Sequence, residues 1–258
     1  MSGASFSIRK RLATGVPFIF PWVGMPGVAQ AAQIARMGFD AVALDLQHST
    51  IDMGAAAKMV AAINALGVPS VLRILWNDPG MVGFAFDMGA AAVIAPMTNS
   101  VAQVEALVKA AKYPPLGQRS WGGYTMLQAA GVSAGEYLKE ANANTLVFAM
   151  IETQQALDLV DDIAAVKGLD GLFVGPSDLS IALSKGAKID RLGDATLAAM
   201  TKVVAACKKN GLVPGAFAGT VDGVQKYVEL GFRFLAGPTD TELSRMGAAA
   251  FLKDVARG

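Results

Sequence analysis

Short apolar runs alternate with longer Ala-rich stretches along the whole chain. The runs that read as strands are Phe18 to Gly24, Ala41 to Leu46, Ser70 to Leu75, Ala91 to Met97, Thr145 to Ile151, Gly171 to Gly175, Val213 to Ala218 and Phe232 to Ala236. Their near-continuous apolar character suits parallel strands covered on both faces. Helical patterns lie between them, such as "MGAAAKMVAAINAL" (53–66), "SVAQVEALVKAAK" (100–112) and "DATLAAMTKVVAACKKN" (194–210). Several stretches close on a glycine before the next strand, at Gly38, Gly67, Gly89, Gly211 and Gly231, as helix C-termini do. Eight βα units in 258 residues predict a single-domain α/β protein, a (β/α)8 TIM barrel. A dinucleotide-binding sheet would want a Gly-rich turn after its first strand, and "FPWVGMPG" offers only scattered glycines. One connection, 113–144, is too long for a simple loop. Trp121 and Tyr124 within it argue for order, so it is expected to form a loop over the active-site mouth.

Composition narrows the function classes. The chain is 53% hydrophobic with a mean hydropathy of +0.42. Yet Asp40, Asp45, Arg73 and Asp87 interrupt its richest segments, leaving no run of about 18 apolar residues for a membrane span. "MSGASFSIRKRL" at the start lacks an apolar targeting core. A net charge of +1 gives no support for nucleic-acid binding. The single cysteine, Cys207, excludes an internal disulfide and suits a reducing cytoplasm. With one histidine, His48, a multi-histidine zinc site cannot form within the chain.

In a barrel of this kind chemistry belongs at the C-terminal ends of the strands. The polar residues there are Trp22 after strand 1, Asp45, Gln47 and His48 after strand 2, Arg73 after strand 3, Glu152 after strand 5 and Asp178 after strand 6. Each has an ordinary structural reading. Ser177 and Asp178 suit a helix start, Glu152 could cap the helix beginning at Thr153, and Asp45 could form a structural ion pair with Arg73. Two acids, a histidine and an arginine at one rim are nevertheless costly to bury without purpose. Two carboxylates at neighbouring strand ends suit one hard divalent cation, Mg2+ or Mn2+. The backbone amides of Ser177 and Asp178 could receive a carboxylate, with Pro176 and Ser177, after Gly175, turning the chain toward the same ligand and Trp22 nearby. Arg73 could meet a developing oxyanion, and His48 could move a proton near neutral pH. A 2-oxo acid fits these parts, because its C3–H is acidic and its adjacent oxygens can share a metal. None of the thirteen lysines ends a strand, which disfavours a Schiff-base route.

"GFDAVALDLQHS", "VLRI", "AKYPPLGQRS", "MIET" and "GLDGLFVGPSDLS", in this order, resemble the HpcH/HpaI aldolase family of metal-dependent pyruvate aldolases, over nearly the whole chain. The resemblance implies Glu152 and Asp178 as metal ligands, with Co2+ or Zn2+ as further candidates. It implies Arg73 at the enolate oxygen and the amides around Ser177 and Asp178 at the carboxylate. His48 would transfer the proton, oriented by Asp45 or by Asp87 of a neighbouring subunit. The family also implies a homo-hexamer, a trimer of dimers with C-terminal helices exchanged, which the apolar "MGAAAFL" would suit. The sequence departs from the family pattern at Gln47, where many members have Glu, at Met150, often Gln, and in "SWGGY" (120–124), where an acceptor aldehyde is expected to approach.

The expected activity is cleavage of a 4-hydroxy-2-oxo acid to pyruvate, or an analogue such as hydroxypyruvate, plus an aldehyde. A CoA-ester lyase of the citrate-lyase β type would share the fold and Mg2+, but no clear basic cluster awaits the CoA phosphates. A catalytically silent 2-oxo-acid-binding barrel would have no need of a proton carrier such as His48.

Overall fold

The computed structural model describes residues 8–255, so the first seven residues of the stretch read as lacking a targeting core lie outside it. Eight parallel strands close into a barrel in sequence order. They are β1 (Phe18–Val23), β2 (Val42–Asp45), β3 (Ser70–Arg73), β4 (Ala92–Ala95), β5 (Leu146–Ile151), β6 (Gly171–Val174), β7 (Val213–Phe217) and β8 (Phe234–Thr239). The helices are α1 (Ile8–Leu12), α2 (Val28–Ala35), α3 (Met53–Asn64), α4 (Pro79–Asp87), α5 (Val101–Ala111), α6 (Tyr124–Ala130), α7 (Ala134–Asn144), α8 (Gln154–Asp158), α9 (Val160–Ala164), α10 (Pro176–Leu183), α11 (Asp194–Asn210), α12 (Val221–Leu230) and α13 (Asp240–Asp254). The expected TIM barrel is therefore present. Its last strand starts two residues later than the sequence suggested and runs on to Thr239. Among the described residues no helix is long and apolar enough to cross a membrane.

Alternation along each strand sorts its side chains between two cores. Phe18, Phe20, Trp22, Ala43, Val71, Ile94, Phe148, Met150, Phe173 and Phe234 fill the barrel. Val42, Leu44, Leu72, Val93, Val147, Ile151 and Leu172 face outward and pack with the helices. This double burial explains why the strands read as unbroken apolar runs. The helices start on short polar caps, with Asp52, Asp78, Ser100 and Ser133 accepting first-turn amides. The five glycines expected to close helices all take positive φ, as the left-handed terminating residue requires.

Within its own chain the long connection differs from expectation: it contains α6 and α7 and does not cover the mouth of its own barrel. Helix α5 runs back to the end where strands begin, and the connection stays there. Tyr113 N–H donates to Asn142 Oδ1 (2.8 Å), and Lys112 Nζ donates to Thr145 O (2.6 Å) and Asp170 Oδ2 (2.7 Å), just ahead of β5 and β6. Arg119 reaches Asp87 at the last turn of α4, again ahead of a strand start. "SWGGY" is thus at the far end of the same chain from the expected aldehyde. The sequence order already placed this insertion between a helix and the following strand, and in a βα barrel such a connection lies at the end where strands begin, opposite the site-bearing βα loops.

Candidate active site

Period-two alternation decides which strand-end residues meet. Ala43 and Asp45 point into the barrel from β2, as do Val71 and Arg73 from β3, and Asp45 and Arg73 lie in register. The two form a buried bidentate pair, Nε to Oδ1 at 2.8 Å and Nη2 to Oδ2 at 2.6 Å. Burial alone would raise the Asp45 carboxyl. The Arg73 bonds and charge and the Gln47 N–H outweigh it, holding Asp45 below its ordinary value. Asp45 Oδ1 also accepts the backbone N–H groups of Gln47 (3.0 Å) and His48 (3.3 Å). Asp45 therefore shapes the turn carrying His48 and aims Arg73; it does not touch the imidazole. His48 is exposed, and its ring makes no hydrogen bond to a described residue. Gln47 Oε1 is buried without a partner.

On β5, Met150 faces the barrel interior, so Glu152, two residues on, shares that face. Glu152 is 3% exposed. Its carboxyl is pushed up to about 7, first by burial and further by the charge of Asp178, against the opposing pull of the Met97 N–H and Arg73. Met97 N–H donates to Oε1 at 2.6 Å, and Met97 itself has φ 52, a left-handed conformation uncommon for such a residue. On the other oxygen, a Cβ at Gly175 would stand 2.7 Å from Oε2, so only glycine lets the β6 end approach. The cap reading of Glu152 does not hold, because Thr153 caps α8 with its own hydroxyl.

Helix α10 starts at Pro176 with Gly175 as its N-cap, which has no side chain to cap with. Asp178 lies in the first turn and is exposed. Ser177 Oγ accepts instead from Arg191 Nε at 2.9 Å. Neither side chain plays the capping role the sequence allowed them, which leaves the first amides of α10 and the Asp178 carboxylate turned to the rim.

Trp22 forms an aromatic floor with Phe173 (5.9 Å between centroids) and Phe217 (5.5 Å), and the Arg73 guanidinium lies 4.9 Å above the Trp22 ring. The sequence missed Met97, Arg191 and Asp240. Met97 stands at a strand end but is nonpolar, and Arg191 lies away from the strand ends. Asp240 was hidden by the early end assigned to β8; it is 2% exposed and accepts Gly24 N–H (3.2 Å) and Met25 N–H (2.9 Å), tying β8 to β1. Asp87, expected to reach His48 from a neighbouring subunit, lies at the opposite end of its own barrel, ion-paired to Arg119 at 2.6 Å. Gly122 packs its backbone on that carboxylate, where a Cβ would come within 2.3 Å of Oδ2. Lys112, the lysine buried to 1% exposure, also lies at that far end.

A hidden acid with a raised pKa and a second acid beside it present carboxylate oxygens of the kind a hard cation takes, and the nearby arginine presents N–H donors to an anion. Among the described residues no three His, Cys, Asp or Glu side chains gather as a metal site. The HpcH/HpaI aldolase/citrate lyase family model matches residues 21–246, which include every one of these residues. The chain belongs to that family. A hydroxypyruvate/pyruvate aldolase of Rhizorhabdus wittichii is 35% identical over 94% of this chain and 95% of its own. A 4-hydroxy-2-oxo-heptane-1,7-dioate aldolase of Klebsiella pneumoniae is 30% identical over 95% and 91%. The crystal structure of an HpcH/HpaI aldolase from Desulfitobacterium hafniense superposes with a TM-score of 0.88 at 26% identity, covering 98% of both chains. By this membership the protein is an aldolase-type carbon–carbon lyase.

Proposed function

We propose that the chain is a class II aldolase that reversibly cleaves 4-hydroxy-2-oxo acids to pyruvate, or an analogue such as hydroxypyruvate, and an aldehyde. The carrying observation is Glu152, hidden, raised to about 7 and facing Asp178. Water-accessible acids at a rim need no such arrangement, whereas a bound cation compensates both charges. Glu152 and Asp178 would hold Mg2+ or Mn2+, with Co2+ or Zn2+ as alternatives, and the ion would polarise the 2-oxo oxygens as a Lewis acid. Arg73, fixed by Asp45, donates to the oxygen that gains charge as the enolate forms. The first amides of α10 face the carboxylate, and Trp22 packs against the carbon skeleton. A water or hydroxide assisted by His48 takes the C4 hydroxyl proton during cleavage and returns it during addition. The relatives named as hydroxypyruvate/pyruvate aldolases support the 2-oxo acid as nucleophile.

The reading also includes a homo-oligomer, with the hexameric trimer of dimers as the expected form. Helix α13 leaves Met246, Phe251 and Leu252 exposed, an apolar face suited to a second copy. Asp87 can reach a His48 only in another copy.

The deciding experiment is deuterium exchange into the C3 methyl of pyruvate, followed by NMR, with chelator-stripped protein and with Mg2+ or Mn2+ restored. Exchange that requires metal is expected. No exchange with any metal would remove pyruvate as the nucleophile and turn attention to CoA esters.

A further inference from the structure

Two guanidinium groups bracket the aromatic floor of the mouth, and only one is committed. Arg73 stands over Trp22 at 4.9 Å and is neutralised by Asp45. On the other side Trp22 meets Phe217 edge-on at 5.5 Å, and the Arg191 guanidinium lies 5.7 Å from the Phe217 ring centroid. Phe217 packs with the barrel-interior cluster, so Arg191 leans inward over the mouth even though the residue is exposed.

Arg191 is also held in place. Its Nε donates to Ser177 Oγ at 2.9 Å, and its backbone carbonyl accepts Tyr227 Oη–H at 3.0 Å. Its Nη1 lies 3.5 Å from where a Cβ on Gly219 would stand, an ordinary contact distance that places the guanidinium beside that turn. Among the described residues it forms no ion pair with a carboxylate. A fixed guanidinium with its two terminal nitrogens unpaired by any acid is a ready partner for an anion.

We propose that Arg191 is a specificity-determining residue that selects the 2-oxo acid nucleophile by its carboxylate. This rests on the aldolase reading above. A 2-oxo acid that turns its carbonyl oxygen toward Arg73 and the two acids directs its carboxylate to the β6 side, where α10 begins. Ser177, the residue that tethers Arg191, is there. An acidic group on the acceptor aldehyde would lie on the His48 side, away from Arg191. The tether makes Ser177 a positioning residue for the guanidinium, in addition to the role of its amide.

The test uses the full-length, metal-loaded protein with Arg191→Gln, Arg191→Lys and Ser177→Ala. Methyl exchange gives kcat and KM for pyruvate, and aldol addition gives KM for a neutral and an acidic aldehyde. Expected for Arg191→Gln is a rise of about tenfold in the pyruvate KM, kcat within about twofold and unchanged KM for both aldehydes. Arg191→Lys should recover part of the loss, and Ser177→Ala should show a smaller rise. An unchanged pyruvate KM in Arg191→Gln overturns the proposal, and a rise confined to the acidic aldehyde does so by placing Arg191 on the acceptor side. If the unaltered protein shows no exchange, the aldolase reading fails. Calorimetric pyruvate binding then still decides for Arg191: a weaker Kd in Arg191→Gln supports it and an equal Kd overturns it.

Discussion

Glu152 concentrates the chemistry of this rim in one side chain. Its ordinary value of 4.5 is raised to about 7 in the folded chain. Between those pH values the metal-free folded protein keeps a proton that the unfolded chain has lost. The contribution of Glu152 to stability is therefore greatest below about 4.5, falls as the pH rises to about 7 and stays lower above it, by on the order of 3 kcal/mol. Melting temperatures of metal-free protein across this window should show the decline, and Glu152→Gln should flatten it. The amide can still accept the Met97 N–H, so that variant should fold, while metal-dependent exchange drops at least about a hundredfold. Asp45→Ala is a different test. It strands the buried Arg73 and should cost about 3–5 kcal/mol in denaturant unfolding, with loss of exchange because Arg73 is no longer aimed.

At the scale of the elements, the barrel separates function from stability by its two ends. The strand tips hold Asp45, Arg73, Glu152 and Asp178, whereas the strand starts hold Asp170, which pairs with Lys112 at 2.7 Å and with Arg9 of α1. Ile8 of the same short helix is buried in the barrel-interior cluster, closing that end. Asp170→Asn should lower stability by about 3 kcal/mol, as expected when one member of a buried charge network is removed. It should leave kcat and KM of the folded enzyme unchanged, and urea titration beside the exchange assay separates the two effects. An equal loss of activity per folded molecule would contradict the division of the two ends.

For the whole molecule, two surfaces of the chain are those that the proposed assembly would cover. One is the exposed apolar side of α13. The other surrounds Asp87, where Arg119 stacks on Phe86 (5.2 Å) and Tyr113 (4.8 Å), and Trp121 packs with Tyr113 and Tyr137. A cleft of about 500 Å3 lined by Phe84, Asp87 and Arg119 opens there. If Asp87 completes a neighbour's site, Asp87→Asn and His48→Asn proteins, each impaired alone, should regain activity when mixed and allowed to exchange subunits. Each mixed contact can then contain one intact pair. Recovery read by methyl exchange, with sedimentation to confirm mixed assemblies, checks this; failure of well-mixed assemblies to recover would remove Asp87 from the chemistry.

The eight apolar runs sufficed for the barrel, because burial on both faces of a parallel strand leaves a signature in consecutive residues. The strand-end filter likewise named Asp45, Arg73, Glu152 and Asp178, since a fixed topology puts those positions at one rim. Met97 was beyond it: a left-handed backbone that aims an N–H at Glu152 has no mark in "APM". Arg191 was beyond it too, because it enters the mouth from a connection after α10 and depends on contacts with Ser177 and Phe217. The end of the barrel that holds residues 113–144 was legible too, since a connection between a helix and the next strand lies where strands begin; its two helices and the packing of Arg119 on Asp87 required the fold. Local periodicity therefore determined the elements and the first ring of candidate acids. Long-range packing alone decided how those acids are charged, what supports them and which cation stands uncommitted beside them.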